Sequence, residues 1–389
     1  MLNDAKEPLY VMGGKNKPYG HFHYTLADDG TISIQLDTDP TNHIWTMKYQ
    51  NGKIIAPIKP DVVNPQAEAR SVTRGEVSND IAVVELTSAT EEEQTHMQTM
   101  DAQLFQHTKV TFSLKDTNGK AIKAKELTIS INGGHYSMKN STASSEFSVN
   151  LSPVENRTLI LSAISDNDTY VTTKKNVSFE KGKATDMEVN LIKVETVQLW
   201  KNGPKFANMN LGATSANDNG LYYSWCTTTD FRQLNRTYSW RNLPYFIDKN
   251  NTAYFSKYFQ ADGALLEASD DAAAMNWGGT WRIPTFTELR KLADPDVCSS
   301  EWKIIDGIPG RVIKGATKGY KDNSIFLPAG DYILYDILIT NQTLDGAIGK
   351  YWSASAYGES AYLLYFGSST TPFVELDKRY MGFVIRPVK

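Results

Sequence analysis

The sequence predicts a multidomain chain in which two antiparallel β-sandwiches are followed by an α+β domain. Its 389 residues exceed what one hydrophobic core usually organises, so more than one domain is expected. In the first half, short strands of alternating polarity recur without helical periods between them, which is typical of sandwiches. All six histidines lie in the first 135 residues, whereas seven of the eight tryptophans follow residue 199. The C-terminal part should therefore be built differently.

The composition excludes several classes of protein. With 41% apolar and 22% charged residues, the chain can bury hydrophobic cores and lies outside the disordered and coiled-coil classes. Forty Lys and Arg against 44 Asp and Glu give a formal charge of −4 without a basic block, which argues against a nucleic-acid partner. No apolar run is long enough to predict a membrane span. The first residues lack an apolar signal segment, which indicates either a cytosolic protein or an exported one whose signal is absent from this sequence.

Strands of the first half are predicted from alternation and from the turns between them. Asp28-Asp29-Gly30 precedes one strand and Asn118-Gly119 follows another, and both sequences favour hairpin turns. The predicted strands cover residues 31–36, 110–114, 127–131, 146–151, 158–163 and 187–191. A polar, loop-like stretch precedes residue 105, and aromatic density rises after residue 194. The predicted domains are therefore 1–104, 105–194 and 195–389.

Two helices are predicted in the C-terminal part. A cap residue, an acidic first turn and a run of alanines predict a helix over 269–277, which Gly278-Gly279 should end. Thr285 and Glu288 have the spacing of a capping box, which predicts a helix from Phe286 to Ala293. Apolar runs predict strands over 324–329, 362–366 and 382–388, so this part is α+β.

Four segments of the C-terminal part resemble the FISUMP-type major paralogous domain. They are residues 276–285 (NWGGTWRIPT), 323–330 (NSIFLPAG), 351–355 (YWSAS) and 382–388 (GFVIRPV). The resemblance extends in order over nearly all of residues 196–389. It implies a variant of the C-type lectin fold, similar around Arg282 to the formylglycine-generating sulfatase-modifying family.

Neither calcium-dependent sugar binding nor catalysis is supported by the residues present. The Glu-Pro-Asn, Gln-Pro-Asp and Trp-Asn-Asp motifs of calcium-dependent lectins do not occur. Cys226 and Cys298 could form one disulfide or stay as buried thiols, and free thiols are favoured because neither flank suggests pairing. No histidine follows residue 135 to activate them. We therefore expect no enzyme activity, no cofactor and no catalytic metal.

A structural calcium ion stays an open alternative. His21 and His23 could supply two zinc ligands from one strand, but we interpret them as a solvated strand face.

Binding through aromatic side chains is the remaining expectation for the C-terminal part. Tyr and Trp offer flat, amphipathic contact area at small entropic cost. The candidate ligand-binding residues, chosen on predicted loops, are Tyr238, Trp240, Tyr245, Tyr332, Tyr335 and Tyr357. Trp277, Trp281 and Trp352 lie inside the family motifs and are predicted to be core residues.

Residues 86–193 resemble the fimbrillin family of Bacteroidales surface fimbriae. The resemblance rests on residues 86–90 (LTSAT), 104–114 (LFQHTKVTFSL) and 179–191 (FEKGKATDMEVNL). It implies two transthyretin-like or immunoglobulin-like sandwiches, export as an outer-membrane lipoprotein, and assembly with stalk or adaptor subunits by strand donation. Family members are trimmed after an arginine, for which Arg70 and Arg74 are the candidates.

Together these features predict the tip adhesin of a cell-surface fimbrium. The bulk of residues 195–389 should block further addition of subunits, which places the chain at the fimbrium tip, with this part binding a glycan or a surface protein. The alternative is a surface glycan-binding lipoprotein of a polysaccharide-uptake system, in which the sandwiches are only spacers.

Overall fold

The computed structural model describes six strand segments between residues 12 and 62, and then residues 108–249, 252–259, 263–334, 336–340 and 346–389. Strands predominate in the described residues and helices are few there, so the predicted β-rich class is confirmed. No helix in the described ranges is long and apolar enough to cross a membrane.

The strands are numbered in chain order. They are β1 (Met12–Gly13), β2 (Lys17–Pro18), β3 (Phe22–Leu26), β4 (Thr31–Leu36), β5 (His43–Gln50), β6 (Lys53–Val62), β7 (Thr108–Asp116), β8 (Ala124–Ile131), β9 (Gly134–Ser144), β10 (Glu146–Leu151), β11 (Val154–Ser165), β12 (Asp168–Phe179), β13 (Ala184–Lys193), β14 (Thr196–Gln198), β15 (Lys205–Ala207), β16 (Phe246–Lys249), β17 (Thr252–Phe255), β18 (Cys298–Ile305), β19 (Ile308–Gly315), β20 (Ser324–Pro328), β21 (Tyr332–Leu334), β22 (Ile337–Ile339), β23 (Ile348–Tyr357), β24 (Ser360–Gly367) and β25 (Phe373–Lys378). The helices are α1 (Ala272–Trp277) and α2 (Phe286–Ala293), with 3-10 turns at Phe231–Leu234, Trp240–Asn242 and Ala268–Asp270.

The chain forms two compact units. The first comprises Met1–Phe112, Glu146–Val154 and Phe179–Met187, and the second comprises Ser113–Ser145, Glu155–Ser178 and Glu188–Lys389. In the first unit, β3 to β6 form an antiparallel sheet in chain order, and β1 pairs with β2. The domain boundaries after residues 104 and 194 stay predictions.

Strands β7 to β13 form one seven-stranded sheet. Its order is β10-β7-β13-β12-β11-β8-β9. The outermost strands, β9 and β10, are consecutive in the chain and only Ser145 separates them, so the sheet is nearly closed. Burial alternates along β7, where Val110, Phe112 and Leu114 are buried and the residues between them are not. This period of two is what a sheet with one covered face requires.

Strands β8 and β11 are buried on both faces. Residues 127–131 and 159–163 are buried without interruption, because the C-terminal part of the second unit covers the outer face of these strands. The Ser162 hydroxyl donates to the Trp277 carbonyl oxygen at 2.8 Å, and the Trp281 indole N–H donates to the Thr169 hydroxyl at 3.0 Å. We call this contact between the sheet and helix α1 the junction. Ile160 and Val171 belong to the same hydrophobic core as Trp277 and Trp281.

The C-terminal part contains several small antiparallel sheets around one buried segment. The larger ones have the orders β18-β19-β20 and β23-β24-β25. Residues 381–388 are all buried, but the strand predicted over 382–388 is wrong. Isolated bridges join Phe383 to Tyr223, Val384 to Tyr351, and Val388 to Phe206 and Arg282, with one more at Gly382. Because each bridge has a different partner, the segment crosses the core instead of lying in one sheet.

The helix predictions hold with one shift. Helix α2 begins after Thr285, whose capping box with Glu288 is confirmed. Helix α1 begins after Asp271 and not after Ser269, because the Asp271 carboxylate accepts from the backbone N–H of Ala273 and Ala274. Residues 268–270 form a 3-10 turn instead. The prediction that Trp277, Trp281 and Trp352 are core residues is confirmed, since each is at most 2% exposed.

His135 connects the β8–β9 hairpin to a loop of the C-terminal part through hydrogen bonds. Its Nδ1 lies 2.7 Å from the Ser130 hydroxyl and its Nε2 lies 2.9 Å from the Thr228 hydroxyl. Burial lowers the pKa of His135 to about 4, although a backbone hydrogen bond with Met275 acts in the opposite direction. The imidazole is therefore neutral in the folded protein at neutral pH.

We expect this histidine to make stability depend on pH. The pKa of a histidine in an unfolded chain is near 6.5, whereas the pKa of His135 in the folded protein is about 4. Between these two pH values the unfolded state therefore binds a proton that the folded state does not bind. The contribution of neutral His135 to the free energy of unfolding is therefore complete above about pH 6.5 and decreases as the pH falls. At about pH 5 the free energy of unfolding should be lower by about 2 kcal/mol. Urea unfolding of the intact chain and of His135→Gln, followed by tryptophan fluorescence, measures the difference. Equal pH dependence in both proteins would contradict it.

Candidate functional site

Five of the eleven large apolar side chains that are exposed among the described residues belong to one part of the second unit. Tyr254 is 40% exposed, Phe259 37% and Leu265 51%. Tyr245 and Tyr357, at 36% and 42%, belong to the same part of the fold, as the contacts below establish. Contiguous exposed patches of this kind mark binding surfaces in soluble proteins.

An open groove of about 650 Å³ lies in this region. The described residues that line it are Tyr254, Phe255, Ser256, Lys257, Tyr258, Phe259, Ala264 and Glu267, and we call it the aromatic groove. Its volume falls within the range of small-molecule sites.

Two local structures position the walls of the groove. The β16–β17 hairpin pairs Phe246 with Phe255, and both rings pack on Trp240 at centroid distances of 6.0 and 5.6 Å. On the other side, Ala264 accepts a backbone hydrogen bond from Ala356 at 2.8 Å. This bond joins strand β23 to the wall of the groove that contains Ala264.

A buried carboxylate lies at the base of the groove. Oδ2 of Asp270 accepts from Lys257 Nζ at 2.7 Å and from the Tyr258 hydroxyl at 2.6 Å, and its Oδ1 accepts from the Tyr245 hydroxyl at 2.9 Å. Lys257 also pairs with Glu267 at 2.9 Å. We call these five residues the Asp270 cluster. The ammonium of Lys257 lies 4.9 Å from the ring centres of both tyrosines, a favourable cation–π distance.

Both tyrosines of the cluster have unusual backbone conformations. Tyr245 and Tyr258 each have a φ of +62°, which is the left-handed region that bulky residues rarely adopt. Such a conformation costs free energy and persists where the surroundings hold it. The hydrogen bonds of both hydroxyls to Asp270 supply that restraint, so the carboxylate fixes the position of the two rings.

The electrostatics of the cluster favour a charged Lys257 and a charged Asp270. Burial acts to raise the pKa of Asp270, but hydrogen bonds from Lys257, Tyr258 and Tyr245 outweigh it and the pKa is lowered. The same bond to Asp270 raises the pKa of Lys257. Burial, together with the bond to Asp270, raises the pKa of Tyr258 to about 12. All of these groups therefore keep one protonation state at neutral pH.

A buried arginine forms hydrogen bonds with the backbone of one groove residue. Arg379 is 1% exposed, and its guanidinium donates to the carbonyl oxygens of Tyr258 at 2.7 Å and Gly358 at 2.5 Å. The same group lies 4.5 Å from the ring centres of Trp225 and Phe255. These contacts hold the backbone of Tyr258 in place.

Neither cysteine has the environment of a reactive thiol. Both are free and buried, which confirms that no disulfide joins them. Burial raises the pKa of Cys226, and the charge of Asp270 adds to the effect. Burial likewise raises the pKa of Cys298 to about 12. In the described ranges, no three His, Cys, Asp or Glu side chains come together as metal ligands would.

The candidate residues from the sequence fall in different places. Tyr245 and Tyr357 are exposed, and Tyr245 belongs to the Asp270 cluster, but neither residue lines the groove. Trp240 is half-buried behind the groove, while Tyr332 is half-buried beside Lys350 and does not line it. Tyr238 is buried, and its hydroxyl donates to Asp230 and to the Tyr222 carbonyl oxygen, so we leave it out of the binding surface. Tyr335, Arg70, Arg74 and the side chains of His21 and His23 lie outside the described residues.

Sequence reasoning missed the groove itself. Tyr254, Lys257, Phe259, Glu267 and Asp270 were not among its candidates. The available signal was the density of aromatic residues over 254–259, where four of six residues are Tyr or Phe, followed in the sequence by Glu267 and Asp270. Comparison of the chain with protein-family models, with curated proteins and with solved structures found no match.

Proposed function

We propose that this chain is the tip adhesin of a cell-surface fimbrium, in which the C-terminal part binds a glycan or a protein on another surface. The observation that carries the binding role is the aromatic groove above the Asp270 cluster. It combines exposed rings with a base that hydrogen bonds and a cation–π pair hold rigid. Rigid aromatic residues in a concave surface are typical of specific binding sites.

The assembly role rests on the sequence resemblance to fimbrillins. In this proposal, two transthyretin-like or immunoglobulin-like sandwiches accept strands from stalk or adaptor subunits, and a C-type-lectin-like fold follows them. The antiparallel pairs β8–β9, β8–β11 and β12–β13 and the mixture of two short helices with small sheets support this. Location on the outer surface, as an exported lipoprotein, is part of the same proposal.

The chemistry of the groove supports binding and not catalysis. Pairing with Asp270 raises the pKa of Lys257, which opposes loss of its proton, and the lowered pKa of Asp270 makes this carboxylate a weak base. Both thiols are buried and their pKa values are raised, which opposes formation of the reactive thiolate.

Adhesion of protein-coated beads tests the binding role. Beads carrying the full chain should adhere to a panel of host and bacterial cells, and the double variant Tyr254→Ala and Phe259→Ala should adhere at least about tenfold more weakly, because truncated aromatic anchors cost about 2 kcal/mol or more. The control is Phe373→Ala, since Phe373 is 41% exposed and does not line the groove. Equal adhesion of the double variant and the intact chain, or no adhesion of the intact chain, contradicts the proposal.

A further inference from the structure

We infer that the ligand of the aromatic groove is an uncharged glycan, which stacks on Tyr254 and Phe259 and donates hydroxyl hydrogen bonds to Glu267. The inference rests on the proposed function and specifies the ligand of the same site. It follows from which groups of the groove are free to make contacts, and from the charge that they carry.

Asp270 is a scaffold and not a ligand contact. Its Oδ2 already accepts from Lys257 and Tyr258, and the Tyr245 hydroxyl lies within hydrogen-bond distance of both carboxylate oxygens. The Tyr258 hydroxyl is also engaged, since it accepts from the backbone N–H of Glu267 at 3.0 Å. These groups order the base of the groove, but they have little remaining capacity for a ligand.

Glu267 is the polar group that the groove offers to a ligand. Its side chain is 65% exposed, and its contact with Lys257 uses only Oε2. A carboxylate accepts hydrogen bonds and donates none, so the complementary ligand must supply donors. Adjacent hydroxyl groups on a sugar ring fit this requirement, and a bond to a charged acceptor is stronger than one between neutral groups.

Tyr254 and Phe259 supply the apolar part of the contact. Their exposure of 40% and 37% leaves ring surface open on the groove that Glu267 also lines. The face of an aromatic ring is electronegative, and a sugar ring presents C–H groups of slight positive charge on one face. A ligand that stacks on the rings and also reaches a carboxylate therefore needs both an apolar face and a hydroxylated edge.

Charge excludes acidic glycans from this site. Lys257, Asp270 and Glu267 carry one positive and two negative charges, so the described charges of the cluster sum to −1. The lysine charge is already paired with both acids and is not free for a ligand anion. A sulfate or carboxylate on the ligand would meet Glu267, and such like-charge contact is unfavourable.

Treatment of the target cells tests the inference with the full-length protein on beads. Adhesion should be lost after periodate oxidation of sugar diols and should persist after sialidase treatment and in the presence of heparin. Loss of adhesion after protease with resistance to periodate would indicate a protein ligand, and loss after sialidase or with heparin would indicate an acidic glycan. Either result overturns the inference and leaves the adhesin proposal standing, whereas failure of the untreated beads to adhere rejects the adhesin proposal itself.

A pair of matched variants locates the contact. Glu267→Ala should weaken adhesion about tenfold, the expected effect of losing hydrogen bonds to a charged acceptor. Glu301→Ala is the control, because Glu301 is 62% exposed and also pairs with a lysine, but does not line the groove. Unfolding curves like that of the intact chain confirm that both variants fold. Equal adhesion of the two variants would overturn the role of Glu267.

Discussion

Replacing Arg386 with methionine should lower the free energy of unfolding by about 4 kcal/mol. Arg386 is 2% exposed, and its guanidinium donates to Asn210 Oδ1 at 2.8 Å and to the carbonyl oxygens of Ala207 at 3.0 Å and Phe326 at 2.9 Å. Methionine is long enough to fill most of the volume, but it removes the hydrogen bonds to Asn210 Oδ1 and to two carbonyl oxygens, of which the bonds to Asn210 and Ala207 are buried. Each unsatisfied acceptor costs about 1 to 3 kcal/mol.

Urea unfolding of the full chain, followed by tryptophan fluorescence, measures this loss. The control is Arg290→Met, because Arg290 is exposed on helix α2 and its removal should change stability by about 0.5 kcal/mol or less. If Arg386→Met lost less than about 1 kcal/mol, the three hydrogen bonds would not be the reason for a buried arginine at this position.

Gly278→Ala should cost about 3 kcal/mol, because it combines backbone strain with crowding at the junction. Gly278 ends helix α1 with φ +68° and ψ −163°, a conformation that essentially only glycine adopts. A Cβ atom there would lie 2.6 Å from Thr128 Oγ1 and 2.8 Å from Glu126 Oε1. The added methyl group would therefore push the helix away from strand β8.

The control for this variant is a glycine with a positive φ and no crowding. Gly307 also has a positive φ, of +79°, but no atom lies within 4 Å of the position that its Cβ would take. Gly307→Ala should therefore cost only about 1 kcal/mol, the usual penalty for a left-handed residue. Equal losses from the two variants, measured by the same urea unfolding, would show that the junction is not tightly packed.

Local patterns were the part of the fold that the sequence predicted well. Strands β4 and β10 and helix α2 have the predicted bounds, because alternation and a capping box are signals within a few neighbouring residues. The last segment could not be predicted, since an apolar run has the same appearance whether it pairs in one sheet or crosses a core through separate bridges. The junction was also hidden, because Thr128 of β8 packs near Gly278, which is about 150 positions away in the sequence.

The candidate site was only partly predictable for the same reason. Tyr245 was recognised as an aromatic residue in a loop, but its role depends on Asp270, which is 25 residues away and reached only through the fold. Tyr238 has the same sequence features, yet the partners of its hydroxyl, Asp230 and the Tyr222 carbonyl, draw it into the core. Composition alone does not separate an aromatic residue on the surface from one that fills the interior.

The junction also limits how this gene can be recombined. Trp277 and Trp281 obtain hydrogen-bond partners from Ser162 and Thr169 and share a hydrophobic core with Ile160 and Val171, so residues 195–389 grafted onto a foreign scaffold would expose this apolar surface to water. Such a chimaera would lose solubility before it lost any binding specificity. Recombination between related genes should therefore yield a folded protein only where the codons for β8 to β12 stay together with those for the C-terminal part.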